Sequence, residues 1–221
     1  MKKSNLPLIL LGGAGAALVL WGGSKVTKSD LVNAVNIATG GALTPTLFFT
    51  KYYPLAQSVE SDTNVPALVT LAQGAIESGY GLHAPGNNLF GIKASSSWTG
   101  KTQKLKTWEC GKTGNPATDG IKDEVIQIFP PGSSQGNGSC NAAGSYSYRV
   151  YGIFRAYDSI EDSFRDHAQF LIDNHRYAPA FDTTTPEAFA LAVAKAGYSS
   201  APTYGSVLVD YISKARNALS I

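Results

Sequence analysis

The chain has 221 residues, of which 43% are hydrophobic and 15% charged, and its net charge is +2. That length and balance allow one sizeable domain with an appendage and exclude a disordered polymer. The positive charge is small and dispersed, with no Lys/Arg stripe interleaved with aromatics, so nucleic acid is excluded as a partner.

The chain opens on a membrane signal. After Lys2 and Lys3, the 18 residues from Leu6 to Gly23 carry no charge, and Trp21 stands near their end. Such a run approaches the length that crosses a bilayer, with an aromatic where the interface would be. A cleaved signal peptide begins the same way, but no Ala-x-Ala site follows. Residues 1–23 are therefore expected to be a membrane anchor, in contact with the bilayer through residues 6–23. Lys2 and Lys3 favour a cytoplasmic N-terminus, which puts the remainder on the extracytoplasmic side, whether periplasm, cell surface or virion membrane. Residues 24–44 read as a connector, with some helical periodicity between Asp30 and Thr39.

From residue 45 to 221 the pattern is that of one folded domain. Leu47 to Ser61 and Val65 to Ser78 read as helices, and Pro54 is expected to kink or shorten the first. The second has Pro66 in its first turn, an apolar face of Val65, Leu68, Val69, Ala72 and Ile76, and Gly79 just past its end. Strand-like segments follow at Lys104 to Glu109, Val125 to Phe129 and Tyr146 to Phe154, separated by Gly, Pro, Asn and Ser clusters. Helices resume at Ser159 to Asn174, which opens on a near capping box and is expected to bury Ile160, Phe164, Ala168, Leu171 and Ile172. Two more run from Thr185 to Gly197 and from Pro202 to Leu219. The expected class is α+β, mainly helical, around a small antiparallel β-lobe.

Cys110 and Cys140 are the two cysteines of the chain. In an exported domain a disulfide closing that loop is the natural reading, worth about 3–4 kcal/mol by loop entropy; two free thiols are the alternative. His83, His167 and His175 show no metal-ligand spacing with them, and no cofactor or metal is expected.

Glu77 carries the functional argument. A glutamate at a helix end is by itself an ordinary surface charge. Here it is followed by Ser78-Gly79-Tyr80-Gly81, which breaks the helix sharply, and then by the Asn87-Asn88-Leu89-Phe90-Gly91 turn. A carboxylic acid kept protonated by apolar surroundings can hand its proton to a leaving sugar oxygen. Tyr80, Phe90 and Trp98 could stack against sugar faces. Glycosidases commonly add a second carboxylate, and Glu109 is the candidate, with Asp119, Asp123 and Glu124 as rivals. His167 and His175 read as structural. Ser78 lacks the setting of a serine nucleophile.

The blocks A-x-x-A-I-E-S-G-Y-G at 72–81, N-N-L-F-G-I-K-A at 87–94 and W-T-G at 98–100 resemble the glucosaminidase domain of glycoside hydrolase family 73. T-W-E at 107–109, F-R-A-Y-D-S at 154–159 and A-G-Y-S-S-A-P-T-Y at 196–204 follow in the family's order. The resemblance implies a lysozyme-like fold and cleavage of peptidoglycan glycan strands between N-acetylglucosamine and N-acetylmuramic acid. It implies Glu77 as general acid, Glu109 as the second carboxylate, Tyr198 as a catalytic tyrosine lining the cleft and Tyr204 at the later tyrosine position; Tyr80, Asn88, Phe90, Trp98 and Tyr204 are expected to bind substrate. Tyr80 stands where the family more often has tryptophan, and residues 110–145 exceed the usual hairpin. Muramidase or lytic transglycosylase action is the alternative within enzymes, and a non-catalytic wall-binding protein the alternative outside them. The stereochemical course stays open, either retaining with help from the substrate's 2-acetamido group or inverting with Glu109 activating water.

Overall fold

The structure, a computed structural model, describes residues 43–138, 140, 144–199 and 201–221. The anchor expected over residues 1–23 and the periodicity between 30 and 39 lie outside the described residues. Among the described residues no helix is long and apolar enough to cross a membrane.

The organising element is α2, Ala67–Ser78. Its sequence is apolar nearly all round, and every residue from Ala67 to Ala75 is buried, which marks a helix surrounded by others rather than one lying on a surface. It packs against α1 (Pro45–Thr63), α3 (Ile160–Asp173), α4 (Pro186–Lys195) and α5 (Tyr204–Leu219). Phe48 and Phe49 of α1, Phe164 and Leu171 of α3, Phe189 of α4 and Leu208 and Ile212 of α5 complete the core.

The helix termini follow their side chains. Ser159 accepts from the Asp162 amide while Asp162 reaches back to the Ser159 amide, a complete capping box that starts α3. Thr185 caps α4, with Pro186 in the first turn. Two expectations need correction. Pro54 neither ends nor shortens α1, which runs on to Thr63. It sits on the exposed face, where water can serve the carbonyl freed by its missing N–H. Ile172 is 41% exposed rather than buried, because His167 takes the inward place on the face that Phe164, Ala168 and Leu171 define.

Strands β1 (Thr102–Gly111), β2 (Glu124–Phe129) and β3 (Tyr146–Arg155) form an antiparallel sheet in the order β1-β3-β2. All three expected strands are present, with β1 longer at both ends than its composition indicated. Glu109 pairs with Tyr148 across β1 and β3, and a bulge interrupts the β2 register between Val125 and Gln127. Cys110 and Cys140 are bonded, with Cα atoms 5.4 Å apart, so the long loop is stapled to the end of β1.

The lobe is joined to the helices by the 87–94 and 154–159 blocks. Asn87 donates to the Tyr157 carbonyl at 3.0 Å, and Asn88 to the Arg155 carbonyl at 2.9 Å. Arg155 pairs with both carboxylate oxygens of Asp166 on α3 at 2.7 Å, and the Tyr157 hydroxyl adds a bond of 2.6 Å. One guanidinium nitrogen, Nη1, held between both carboxylate oxygens and reinforced by a tyrosine makes a charge-assisted joint. These motif residues hold the two parts together.

Candidate active site

Glu77 lies in the last turn of α2, and the turn after it is unusually well held. The buried Ser78 hydroxyl donates to the Gly74 carbonyl at 2.5 Å and accepts from the Gly81 amide at 2.8 Å. Gly79 and Tyr80 are both left-handed, each with φ of 57°. Glycine adopts this freely, whereas Tyr80 does so at some strain. Its ring is fixed edge-on to Phe48 and Phe49 and stacked on Tyr211 at 5.8 Å.

The Glu77 carboxyl opens into a cleft of about 490 Å³. Phe90, Gly91, Ile92 and Lys93 line it from the turn before the β-lobe. Phe170, Arg176, Tyr177, Tyr198 and Ser199 line it from α3 and the segments that follow. Arg176 and Tyr177 belong to a 3₁₀ segment, His175–Ala180, that the sequence pattern did not announce.

Three side chains set the state of the acid. The Tyr204 hydroxyl donates to Glu77 Oε1 at 2.9 Å and accepts from Gln73 Nε2 at 3.2 Å. Because Gln73 supplies a donor, the hydroxyl's own proton is directed at Glu77. With Oε1 occupied as an acceptor, a proton on the carboxyl belongs on Oε2. The Tyr198 ring stacks on Tyr204 at 5.7 Å and 10°. Glu77 is solvent-reachable on its cleft side, but the protein packed behind it raises its pKa; the Tyr204 bond lowers it, and burial prevails. A raised pKa of this kind suits a general acid.

Phe90 is backed by His167, whose ring lies 3.9 Å away and nearly parallel. His167 is fully buried, neither ring nitrogen has a hydrogen-bond partner among the described residues, and burial pushes its pKa down to about 3. It is a neutral aromatic wedge behind the cleft. Among the described residues no three His, Cys, Asp or Glu side chains converge as metal ligands do.

The match to known proteins fits this geometry. The family model described as glucosaminidase, mannosyl-glycoprotein endo-beta-N-acetylglucosaminidase, matches residues 53–217, which takes in Glu77, Tyr198, Tyr204 and the whole β-lobe. The chain belongs to the glucosaminidase family. Among relatives, it is 28% identical over 165 residues to the peptidoglycan hydrolase FlgJ of Pseudomonas aeruginosa, covering 71% of this chain and 33% of that protein. The FlgJ of Vibrio parahaemolyticus is 28% identical over 177 residues, 77% of this chain and 47% of the relative. The chain thus spans between a third and a half of the length of these curated relatives. Of solved structures, a peptidoglycan hydrolase mutant from Sphingomonas sp. A1 superposes with a TM-score of 0.57 at 29% identity, covering 79% of this chain and 98% of that one.

The glucosaminidase cleft gathers some of the expected residues and leaves others outside. Glu77, Phe90 and Tyr198 line it, and Tyr204 stands behind Glu77. Tyr80 packs into the helical body and is not a lining residue. Asn88 is buried, with its amide holding the Ile92 backbone on both sides, so it shapes the turn that presents Phe90. Trp98 donates to the Lys101 carbonyl at 3.0 Å and lies under the Arg155 guanidinium, outside the lining. Glu109 is also outside it. Its carboxylate is held by the Lys93 ammonium, which binds Asp123 as well, at 2.6 Å. Burial disfavours the Lys93 charge, but these two bonds outweigh it and raise the pKa. Asp119 accepts from the Lys112, Thr113 and Gly114 amides and from Tyr148, and Glu124 pairs with Lys104; both are committed to the lobe.

Sequence reasoning missed Gln73, Lys93 and Arg176. Gln73 stands four residues before Glu77 on one helix, so both face the same neighbour, and that spacing was a usable signal. Lys93 and Arg176 had none beyond their place inside or beside a motif block.

Proposed function

We propose that this chain is a peptidoglycan hydrolase, an endo-β-N-acetylglucosaminidase that cleaves between N-acetylglucosamine and N-acetylmuramic acid. Membership of the glucosaminidase family supports the reaction, and the names of its peptidoglycan-hydrolase relatives support the substrate. The observation that carries the mechanism is the Glu77 carboxyl, open to the cleft, with Oε1 held by Tyr204 and its pKa raised by burial. Glu77 is the proton donor to the leaving oxygen. Glu77 is also the one carboxylate among the residues lining the cleft. That supports a retaining course in which the substrate's own 2-acetamido group attacks the anomeric carbon. A second reading has Glu109 as the base for water, and Lys93 favours it, being a cleft residue that already holds Glu109.

We read residues 45–221 as the catalytic unit and residues 6–23 as the anchor that keeps it at the membrane on the extracytoplasmic side, where the wall lies. Zymography on wall preparations tests the activity, with Glu77→Gln expected to lose at least about a hundredfold of the rate. Mass spectrometry of the digest is expected to find N-acetylglucosamine reducing ends. Anhydro-muramic ends would assign a lytic transglycosylase. A wild-type protein that binds wall without clearing it would assign a binding module.

A further inference from the structure

Two cations line the cleft, Lys93 and Arg176, and they are differently committed. Lys93 is shared between Glu109 and Asp123. Arg176 has no carboxylate partner among the described residues, and none of the ion pairs there includes it. Its guanidinium lies 4.6 Å from the ring centroid of Tyr177, a buried residue, so the charged plane rests on a fixed aromatic floor. The two influences on the Glu77 acidity are burial and the Tyr204 bond, and Arg176 is not among them. It shares the cleft with the acid.

A neutral glycan offers such a group only hydroxyl and acetamido acceptors in exchange for part of its hydration, which about balances. A planar carboxylate offers two parallel charge-assisted bonds. We propose that Arg176 receives a carboxylate borne on the O3 substituent of a muramic acid residue, so that the cleft selects an anionic glycan. This rests on the peptidoglycan reading. Muramic acid carries a lactyl ether whose carboxyl is either free or amide-linked to a peptide with carboxylates of its own. Both sources present the same chemistry to the guanidinium, and both are carried on the ring rather than at the scissile oxygen.

The test measures kcat/KM for the full chain and for Arg176→Gln on three substrates. These are peptide-bearing glycan strands, the same strands after an amidase has removed the peptides, and the peptide-free strands with the lactyl carboxyl converted to its methylamide. Arg176→Gln is expected to lose about tenfold to a hundredfold wherever a bound carboxylate is removed from its partner. It is expected to match the wild type on the methylamide, on which the wild type itself is slowed. A loss on peptide-bearing strands alone assigns a stem-peptide carboxylate, a loss on peptide-free strands alone assigns the free lactyl carboxylate, and a loss on both shows that the guanidinium takes either. Arg176→Lys, which keeps the charge and loses the fork, is expected to fall between, with an unchanged melting temperature in both variants. Equal losses on all three substrates, or none on any, would overturn the assignment. A wild type that cleaves none of the three overturns the hydrolase reading instead.

Discussion

At the scale of the residue, the site depends on a hydrogen bond with a fixed direction. Gln73 donates to the Tyr204 oxygen, so Tyr204 donates to Glu77 Oε1, and the acid's proton is left to Oε2. The same bond has an electrostatic side. Burial raises the Glu77 pKa and the Tyr204 hydrogen bond opposes it. Removing the hydroxyl in Tyr204→Phe leaves burial unopposed, so the pKa rises further. A general acid is active while protonated, and the high-pH limb of kcat/KM reports its ionisation in the free enzyme. That limb is therefore expected to move to higher pH in Tyr204→Phe, while the rate at the optimum falls about tenfold as the carboxyl loses its orientation. Gln73→Leu frees Tyr204 to turn its proton elsewhere and is expected to shift the limb the same way. Combined with Tyr204→Phe it should add nothing, because the two act on one bond. A limb that stays in place, or moves to lower pH, would remove Tyr204 from control of the acid.

At the scale of the element, the β-lobe is the part that owes most to special bonds. Its three strands are connected by segments rich in Gly, Ser and Asn, which contribute little apolar burial. Asp119 organises the first of these by accepting three backbone amides and the Tyr148 hydroxyl, and the Tyr148 bond leads in holding its pKa down, to about 2. The second is closed by Cys110–Cys140, directly beside Glu109. The staple's value lies in the unfolded chain, where it removes loop entropy. Cys110→Ser with Cys140→Ser is thus expected to destabilise the domain by about 3 kcal/mol, read as a lower denaturant midpoint. Neither cysteine is among the residues lining the Glu77 cleft, so activity at a temperature where the variant is folded should fall less than about threefold. Full loss of activity in folded protein would mean that the lobe's shape enters catalysis directly.

At the scale of the whole molecule, the catalytic question is whether the lobe must meet the helical body. Much of the architecture was legible because its signals are local: the capping box at Ser159, the glycine after Ser78, the strand composition and the ordered motif blocks. The cleft was less legible, because it is assembled across the chain. Tyr204 reaches Glu77 over 127 positions, and no periodicity encodes such a contact. Tyr80 and Trp98 lie outside the cleft lining, and sequence alone does not say which way an aromatic beside a motif faces. Glu109 is the remaining case. Its side chain is 32% exposed and paired to Lys93, an exposed-type ion pair that is worth at most about 1 kcal/mol and so does not forbid movement. To activate water it would have to leave Lys93 and approach Glu77 as the lobe closed on substrate. The 2-acetamido oxygen, by contrast, is already attached beside the anomeric carbon. The expected outcome is that Glu109→Gln lowers kcat by less than about tenfold, against about a thousandfold for Glu77→Gln, and that proton NMR finds the β-anomer as the first product. A thousandfold loss in Glu109→Gln with the α-anomer appearing first would make Glu109 the base, and would require a closed state in which the two carboxyls straddle one sugar and one water.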